Sequence, residues 1–328
     1  MANLSTRFFG LDLKSPIIAG SSSLTASVDQ IEKIAKAGAG AVVLKSLFEE
    51  EIQLQFDAEL LDRKALAPDP EYLDYFDYVI KDESLTRYIH LVADAKKAVQ
   101  IPVVASISCT TSSDWTQFAR KIEDAGADAL ELNLFIIPSN ENRSHSLNEQ
   151  FYFDTVKKVL EVVSIPVTVK ISHYFSNLAK VVSELSQTGI AGITLFNRFY
   201  TPDIDIELEE VGNAEILSNG TEYLLPLRWT GILSSKSACP LAGTSGIMSP
   251  DTAIKFLLAG ANAVQVASVL YQEGAEVIEE FNRSISKWMD GKGYRSIDEF
   301  KGKLCLKTKQ IDAWERTQFM NYFGGLSF

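Results

Sequence analysis

Short apolar runs of strand length recur along the chain with few polar interruptions. They are Ser15–Ser22, Ala41–Ser46, Pro102–Ser108, Ala129–Leu134, Pro166–Ser172, Gly192–Asn197, Cys239–Ser245 and Ala263–Ser268. Apolar character that is continuous rather than alternating marks parallel strands buried on both faces. Between the runs lie stretches with helical spacing: Val28–Ala37, Asp114–Ala125, Asn148–Val163, Ser176–Gln187, Asp251–Leu258 and Glu276–Met289. Val28, Ile31, Ile34 and Ala35 make one apolar stripe, and Phe118, Ile122 and Ala125 another, with Asp114 as the expected N-cap.

Four times a helical stretch ends in a small residue or threonine, then glycine, and a strand run follows: AGAGAVVLKS, AGADALELNL, TGIAGITLFN and AGANAVQVAS. The glycines, Gly38, Gly126, Gly189 and Gly260, stand where a left-handed cap turns the chain back into the sheet. Eight such units predict an α/β fold closed as a (β/α)8 TIM barrel. A doubly wound sheet would want GxGxxG after its first strand, and AGSSSLT stands there instead. The barrel is expected to occupy 1–305 as one domain, with a tail at 306–328. Two stretches do not fit the repeat and read as lid-like insertions, at about 49–81 and about 198–224. Both follow strands, which in a barrel puts them at the catalytic rim. The aromatic tail reads either as a docking or oligomer contact or as a disordered end.

Composition narrows the function. With 46% hydrophobic and 23% charged residues the chain is neither disordered nor collagen-like. A formal charge of −12, from 31 Lys+Arg and 43 Asp+Glu, argues against a general nucleic-acid binder but leaves room for a local phosphate pocket. Cys109, Cys239 and Cys305 form no CxxC pair, so no metal site is expected, and a reduced cytoplasmic setting fits. The first twenty residues show no basic stretch followed by a long apolar core, so no export signal is expected. The apolar runs fall well short of the roughly 20 residues that span a bilayer, so no membrane partner is expected.

Two lysines carry the most chemical information. Lys45 and Lys170 lie inside apolar strands near their ends. A buried lysine there needs an anion or must lose its proton, and an interior salt bridge to a residue such as Glu131 is the structural alternative. GTSGI followed by SPDTAIKFLLAG, with the Ala267–Ser268 turn, offers backbone N–H groups that can cradle a phosphate after the seventh and eighth strands. Two ligands suit this set: FMN, or a sugar phosphate with Lys170 as Schiff-base nucleophile.

Motifs taken together add a resemblance. FFGLDLKSPIIAGSS, VLKS, ELNL, VTVKIS, AGTSGI, AGANAVQVAS and YQEG with GYRSIDEFKGKL follow one another as in the FMN-binding dihydroorotate dehydrogenase family, nearer its class 1 branch. The resemblance implies an FMN-dependent oxidoreductase acting on a CH–CH group. It implies a cofactor set of Ala19, Gly20, Ser21, Lys45, Ser46, Ser106, Asn133, Lys170, Ser245, Gly246, Ala267 and Ser268. Lys45, Asn133, Asn197 and Arg198 would meet substrate. The family's catalytic cysteine, three residues after the asparagine of ELNL, is replaced here by Ile136, which cannot take a proton. The family's orotate-holding segment NSMGLPN has no counterpart, and APDPEYLDYFDY stands in its place. The substrate is therefore expected to be a small cyclic or carboxylated molecule other than dihydroorotate.

His173, Cys109 and Ser139 are the candidates for proton transfer, His173 being the best-placed group that titrates near neutral pH. Arg198 would bind a substrate carboxylate or pair with Asp203, Asp205 or Glu207. A separate electron-transfer partner is expected, since the chain has neither a cluster motif nor a dinucleotide fingerprint, and a homodimer is expected as well. The alternatives are a Schiff-base lyase or isomerase using Lys170, and a flavin-binding protein without turnover.

Overall fold

The apolar runs become the staves of a closed barrel. The structure, a computed structural model, describes residues 2–52, 54, 70–108, 112–198, 202–213, 215–306 and 314. The strands in chain order are β1 (Thr6–Phe8), β2 (Leu11–Leu13), β3 (Ile17–Ala19), β4 (Ala41–Val43), β5 (Leu47–Phe48), β6 (Val103–Ser108) and β7 (Ala129–Asn133). They continue as β8 (Val167–Ile171), β9 (Gly192–Leu195), β10 (Pro202–Asp205), β11 (Glu210–Asn213), β12 (Leu241–Thr244) and β13 (Ala263–Val266). The helices are α1 (Val28–Lys36), α2 (Pro70–Ala98), α3 (Ser112–Asp124), α4 (His145–Leu160) and α5 (Leu178–Leu185). After them come α6 (Leu224–Leu233), α7 (Pro250–Ala259), α8 (Ser268–Glu273) and α9 (Val277–Lys292).

Eight parallel strands close in the order β3-β4-β6-β7-β8-β9-β12-β13, with β13 returning to β3 through Gln265 opposite Ile18. The β4–β6 pairing, Val42 opposite Val103, joins the remaining edges, so no strand edge of the barrel is left open. The protein is thus a (β/α)8 barrel. Gly38, Gly126, Gly189 and Gly260 all hold positive φ, from +87° to +110°, as the helix–glycine–strand repeat requires.

One end of the barrel is plugged. The β1–β2 hairpin sends Phe8 and Phe9 into a cluster with Ile18, Ala41, Val43, Val104, Ala129, Ala242 and Ala263. Alanines at four of these staves leave room for two rings, which meet edge to face at 4.5 Å. Gly192 completes the floor: a Cβ there would lie 2.7 Å from the Phe8 ring. Outside the staves, the apolar faces of the helices, Ile31 and Ile34 of α1 and Phe118 and Ile122 of α3 among them, belong to the main core.

Several boundaries differ from the sequence reading. The second run is interrupted: β4 stops at Val43 and β5 resumes at Leu47, leaving Leu44–Ser46 outside regular pairing. Helix α3 begins at Ser112, so Asp114 lies inside its first turn rather than capping it. Ser144 caps α4 by accepting from Leu147 N, so the helix begins at His145, three residues before the expected start. The stretch at 198–224, read as irregular, contains the antiparallel hairpin β10–β11, with Ile204 opposite Val211. DIDIELEEV alternates with period two, a strand signal overlooked because its acids dominated the composition. In the tail, Trp314 stacks over Gly231 of α6 and donates to Leu304 O at 2.9 Å. Among the described residues no helix is long and apolar enough to cross a membrane.

Truncating Phe8 to alanine should destabilise the barrel by about 3–5 kcal/mol, read from the shift of a urea unfolding midpoint. A loss below about 1 kcal/mol would mean the floor does not depend on that ring.

Candidate functional site

The end of the barrel opposite the plug holds a cavity of about 790 Å³. Sites for small ligands and cofactors span roughly 300–1,000 Å³. Its floor is polar because the inward positions at this level are Glu131, Thr194, Gln265 and Lys170 rather than alanines. Glu131 is fully buried and accepts from Thr194 Oγ1 and Gln265 Nε2 through one carboxylate oxygen. The other oxygen, Oε1, has no partner among the described residues. Gln265 turns its carbonyl to Lys170 Nζ at 3.2 Å. The interior ion pair between Lys170 and Glu131 that the sequence offered as an alternative is therefore not direct; an amide stands between them.

The interruption after β4 aims two residues in different directions. Ser46 turns into the barrel, where its hydroxyl lies 3.1 Å from Ser21 Oγ and 2.7 Å from Ser106 Oγ. Three hydroxyls from three neighbouring staves thus form one chain. Ser106 is sealed beneath it, with Tyr88 donating to its carbonyl and accepting from its N–H. Burial, opposed by that bond to Ser106, pushes the Tyr88 phenol well above its ordinary value. Lys45 turns the other way and pairs with Glu51 at 3.0 Å.

At the remaining staves, Asn133 lines the cavity with its Oδ1 buried and unpartnered among the described residues. Asn197 donates to Leu134 O and Lys170 O, which commits its amide nitrogen to the strand ends. Ser245 and Gly246, at φ +73° and +65°, make the turn after β12. A Cβ on Gly246 would lie 2.4 Å from Tyr223 N, so only glycine lets the 219–223 loop close against this turn. Ser268 accepts from Ser218 N at 2.9 Å, joining the same loop to the turn after β13.

The structure brings Ser21, Lys45, Ser46, Asn133, Lys170, Asn197, Arg198, Ser245, Gly246, Ala267 and Ser268 onto one cavity wall. Ala19, Gly20 and Ser106 lie behind it, as the strands that carry the wall. Arg198 is bound to Glu222 at 2.8 and 3.3 Å, not to Asp203, Asp205 or Glu207. Burial raises the Glu222 carboxyl, but bonds and charge from Arg198 outweigh it, and the net displacement is downward. His173 does not line the cavity; it is half-buried beside Tyr174 and Phe196, with ring centres 4.4 and 5.7 Å away. Ser139 is exposed in the loop after β7 and also off the wall. Cys109 lies outside the described residues.

Four contributors went unread in the sequence: Gln265, Glu51, Glu222 and Tyr271, whose hydroxyl accepts from Ser23 N at 2.9 Å. Gln265 alone left a trace, as the one polar residue in the apolar AVQV. Among the described residues no group of three or more His, Cys, Asp and Glu is placed to hold a metal ion.

The family model described as "Dihydroorotate dehydrogenase" matches residues 81–289. The catalytic subunit of dihydroorotate dehydrogenase B (NAD(+)) from Pyrococcus abyssi is 26% identical, covering 93% of this chain and 99% of its own. The corresponding subunit from Methanothermobacter thermautotrophicus is 23% identical over 91% of this chain and 97% of its own. Dihydroorotate dehydrogenase (fumarate) from Saccharomyces cerevisiae is 26% identical over 92% and 98% respectively.

Burial lowers the His173 pKa from its ordinary 6.5. A depressed imidazole is neutral in the folded chain where the unfolded chain would already be charging. Stability is therefore unaffected by His173 above that value and falls as pH drops below it. NMR titration should place the His173 midpoint below 6.5, and His173→Gln should flatten the acid side of the stability profile. A midpoint above 6.5 would reverse this assignment of its surroundings.

Proposed function

The chain belongs to the dihydroorotate dehydrogenase family, a family of FMN-dependent oxidoreductases on (β/α)8 barrels, and from that premise we propose that it oxidises or reduces a CH–CH bond of a small cyclic substrate other than dihydroorotate. The observation that carries the reading is the polar wall. Among the described residues Lys170 has one partner, an amide oxygen, and so keeps N–H groups for a ligand, while Asn133 Oδ1 and Glu131 Oε1 are buried acceptors with none. Unpartnered buried polar atoms around a cavity of this size fit a bound group with its own donors and acceptors. An isoalloxazine edge has both. The turns at Ser245–Gly246 and Ala267–Ser268 fit its phosphate.

Bound FMN supplies reversible hydride chemistry. Lys170 would hold positive charge beside the ring, favouring electron uptake. Ser21, Ser46 and Ser106 would fix the wall along it as one hydroxyl chain. In the oxidative direction a hydride leaves one substrate carbon and a proton leaves its neighbour. That proton needs an acceptor other than residue 136, because an isoleucine side chain has no lone pair. Cys109, His173 and Ser139 stay the candidates, with His173 and Ser139 needing movement or an intervening water to reach the cavity. Asn133 and Asn197 would position substrate, Asn197 through its remaining carbonyl oxygen. The insertions at about 49–81 and about 198–224, of which 53, 55–69, 199–201 and 214 lie outside the described residues, would act as lids over it, within a single barrel domain.

Two further chains enter the proposal. An electron-transfer partner is supported by the relatives from Pyrococcus abyssi and Methanothermobacter thermautotrophicus, which are catalytic subunits. A homodimer is supported by hairpin β10–β11. Ile204 and Val211 share one face of it and are 68% and 76% exposed, while Asp203, Asp205 and Glu210 lie on the other. Two copies can bring the apolar faces together without opposing their acids. A cytoplasmic location belongs to the same reading.

Lys170→Met should weaken FMN retention by about tenfold or more, or lower the reduction potential of what is retained; unchanged values of both remove Lys170 from the ring. Gly246→Asp should yield colourless protein, through steric block and charge repulsion. Full FMN occupancy in that variant would dismiss the phosphate turn. Ile204→Asp should move the sedimenting species from dimer to monomer, and a wild-type monomer would dismiss the dimer.

A further inference from the structure

The loop at 215–223 belongs to the second insertion and lies against both turns that would face the phosphate, touching Gly246 through Tyr223 N and Ser268 through Ser218 N. Its shape comes from one side chain outside it. Arg198, just past β9, donates to Glu215 O and Ile216 O at the start of the loop and to both carboxylate oxygens of Glu222 near its end. Four of the five N–H groups of a guanidinium are used, and its planar fork serves both ends of the loop at once. Glu222 Oε1 also accepts from Asn219 N at 3.0 Å, so the carboxylate fixes the apex as well as the base. The Arg198 and Glu222 side chains are 25% and 29% exposed, which screens the pair less than one on open surface.

At the apex, Ser218 is buried and its N–H donates to Ser268 Oγ at 2.9 Å. A hydroxyl that accepts on its oxygen still has its proton to give. Among the described residues the Ser268 O–H donates to none, and Ser268 lines the cavity. We propose that Arg198 is a positioning residue for cofactor retention: by stapling the two ends of loop 215–223 it holds Ser218 N on Ser268 Oγ, and so presents the Ser268 O–H to the FMN phosphate. The inference rests on the flavin reading, which puts a phosphate at these turns. A donor aimed before the ligand arrives spares the ordering cost of binding. Without the staple the loop keeps its contact with Gly246 and the bond from Lys255 Nζ to the Tyr223 hydroxyl at 3.1 Å, both at its C-terminal end. The apex is then released while the barrel and α6 stay in place.

FMN and riboflavin differ by the phosphate alone, so they isolate the effect. Each is titrated into protein freed of flavin, followed by flavin fluorescence. The wild type should bind FMN more tightly than riboflavin. Arg198→Met should weaken FMN about tenfold and riboflavin less than about twofold. Arg198→Lys supplies a point charge that reaches Glu222 but cannot fork to both ends of the loop, and should behave like Arg198→Met. Glu222→Gln keeps the size of the side chain and should show the same FMN-selective loss, which decides the matter if Arg198→Met does not fold. Equal wild-type affinity for the two flavins, equal losses of both in the variants, wild-type behaviour of Arg198→Lys, or no FMN-selective loss in Glu222→Gln would overturn the staple while leaving the flavoprotein standing. A wild type that binds neither flavin would instead remove the reading beneath it.

Discussion

A carboxyl group buried at the bottom of a cavity draws on its neighbours for hydrogen bonds. Glu131 sits at that point, fully buried, and both Thr194 and Gln265 donate to the same oxygen. This demand settles the Gln265 amide. Its NH2 must face Glu131, so its carbonyl must face away, and Lys170 lies there. With the amide reversed, NH2 would meet an ammonium, donor against donor, and the carboxylate would face a carbonyl. One buried carboxyl group therefore orients a chain of three side chains on staves β7, β13 and β8. It hands a cation to the cavity without neutralising it in a direct ion pair. Isolated buried charge costs several kcal/mol, which explains why the whole layer is polar.

The opposite side of the cavity is organised by a break rather than by a charge. Had residues 41–48 run as one regular strand, Lys45 and Ser46 would have been fixed by sheet pairing, pointing to opposite faces of a stave. The interruption between β4 and β5 releases them from that alternation. Ser46 can then complete the hydroxyl chain inward, while Lys45 reaches the lid segment at Glu51. At β9 the chain leaves the stave through Asn197, whose amide ties the ends of β7 and β8 together, and Arg198 continues into its clamp on Glu222. Both of these cations are thus drawn into contacts with residues of the two insertions.

What could be read from sequence followed from the range of each interaction. The eight staves were visible because double-sided burial imprints itself on every residue of a run. The four capping glycines were visible because a left-handed residue is a local demand. Lys45 and Lys170 stood out because charge is rare in such runs. Partners separated along the chain were not visible: Glu131 finds Gln265 at a separation of 134 residues, and Arg198 passes over the nearby acids to choose Glu222. Nothing in a run of acids says which of them lies within reach of a guanidinium. The hairpin β10–β11 is a different failure, since its alternation was present in the sequence but was read as charge.

The loop after β7 shows why half of a site can change while the barrel persists. Ile136 stands where the resemblance places a proton-transferring cysteine. It is half-buried against the core, and its N–H is held by the Tyr152 hydroxyl at 3.1 Å. Tyr152 is itself buried and edge-on to Phe175 at 5.0 Å. An apolar side chain suits that position, and a thiol would add little to the packing. At the other end Phe8 and Phe9 pack into a separate apolar cluster of the staves. Rim residues answer only to the ligand and to one another. On the proposed reading, the same separation would let Lys170, Asn133 and the turns after β12 and β13 hold the cofactor while Ile136 and Arg198 face a different substrate above it.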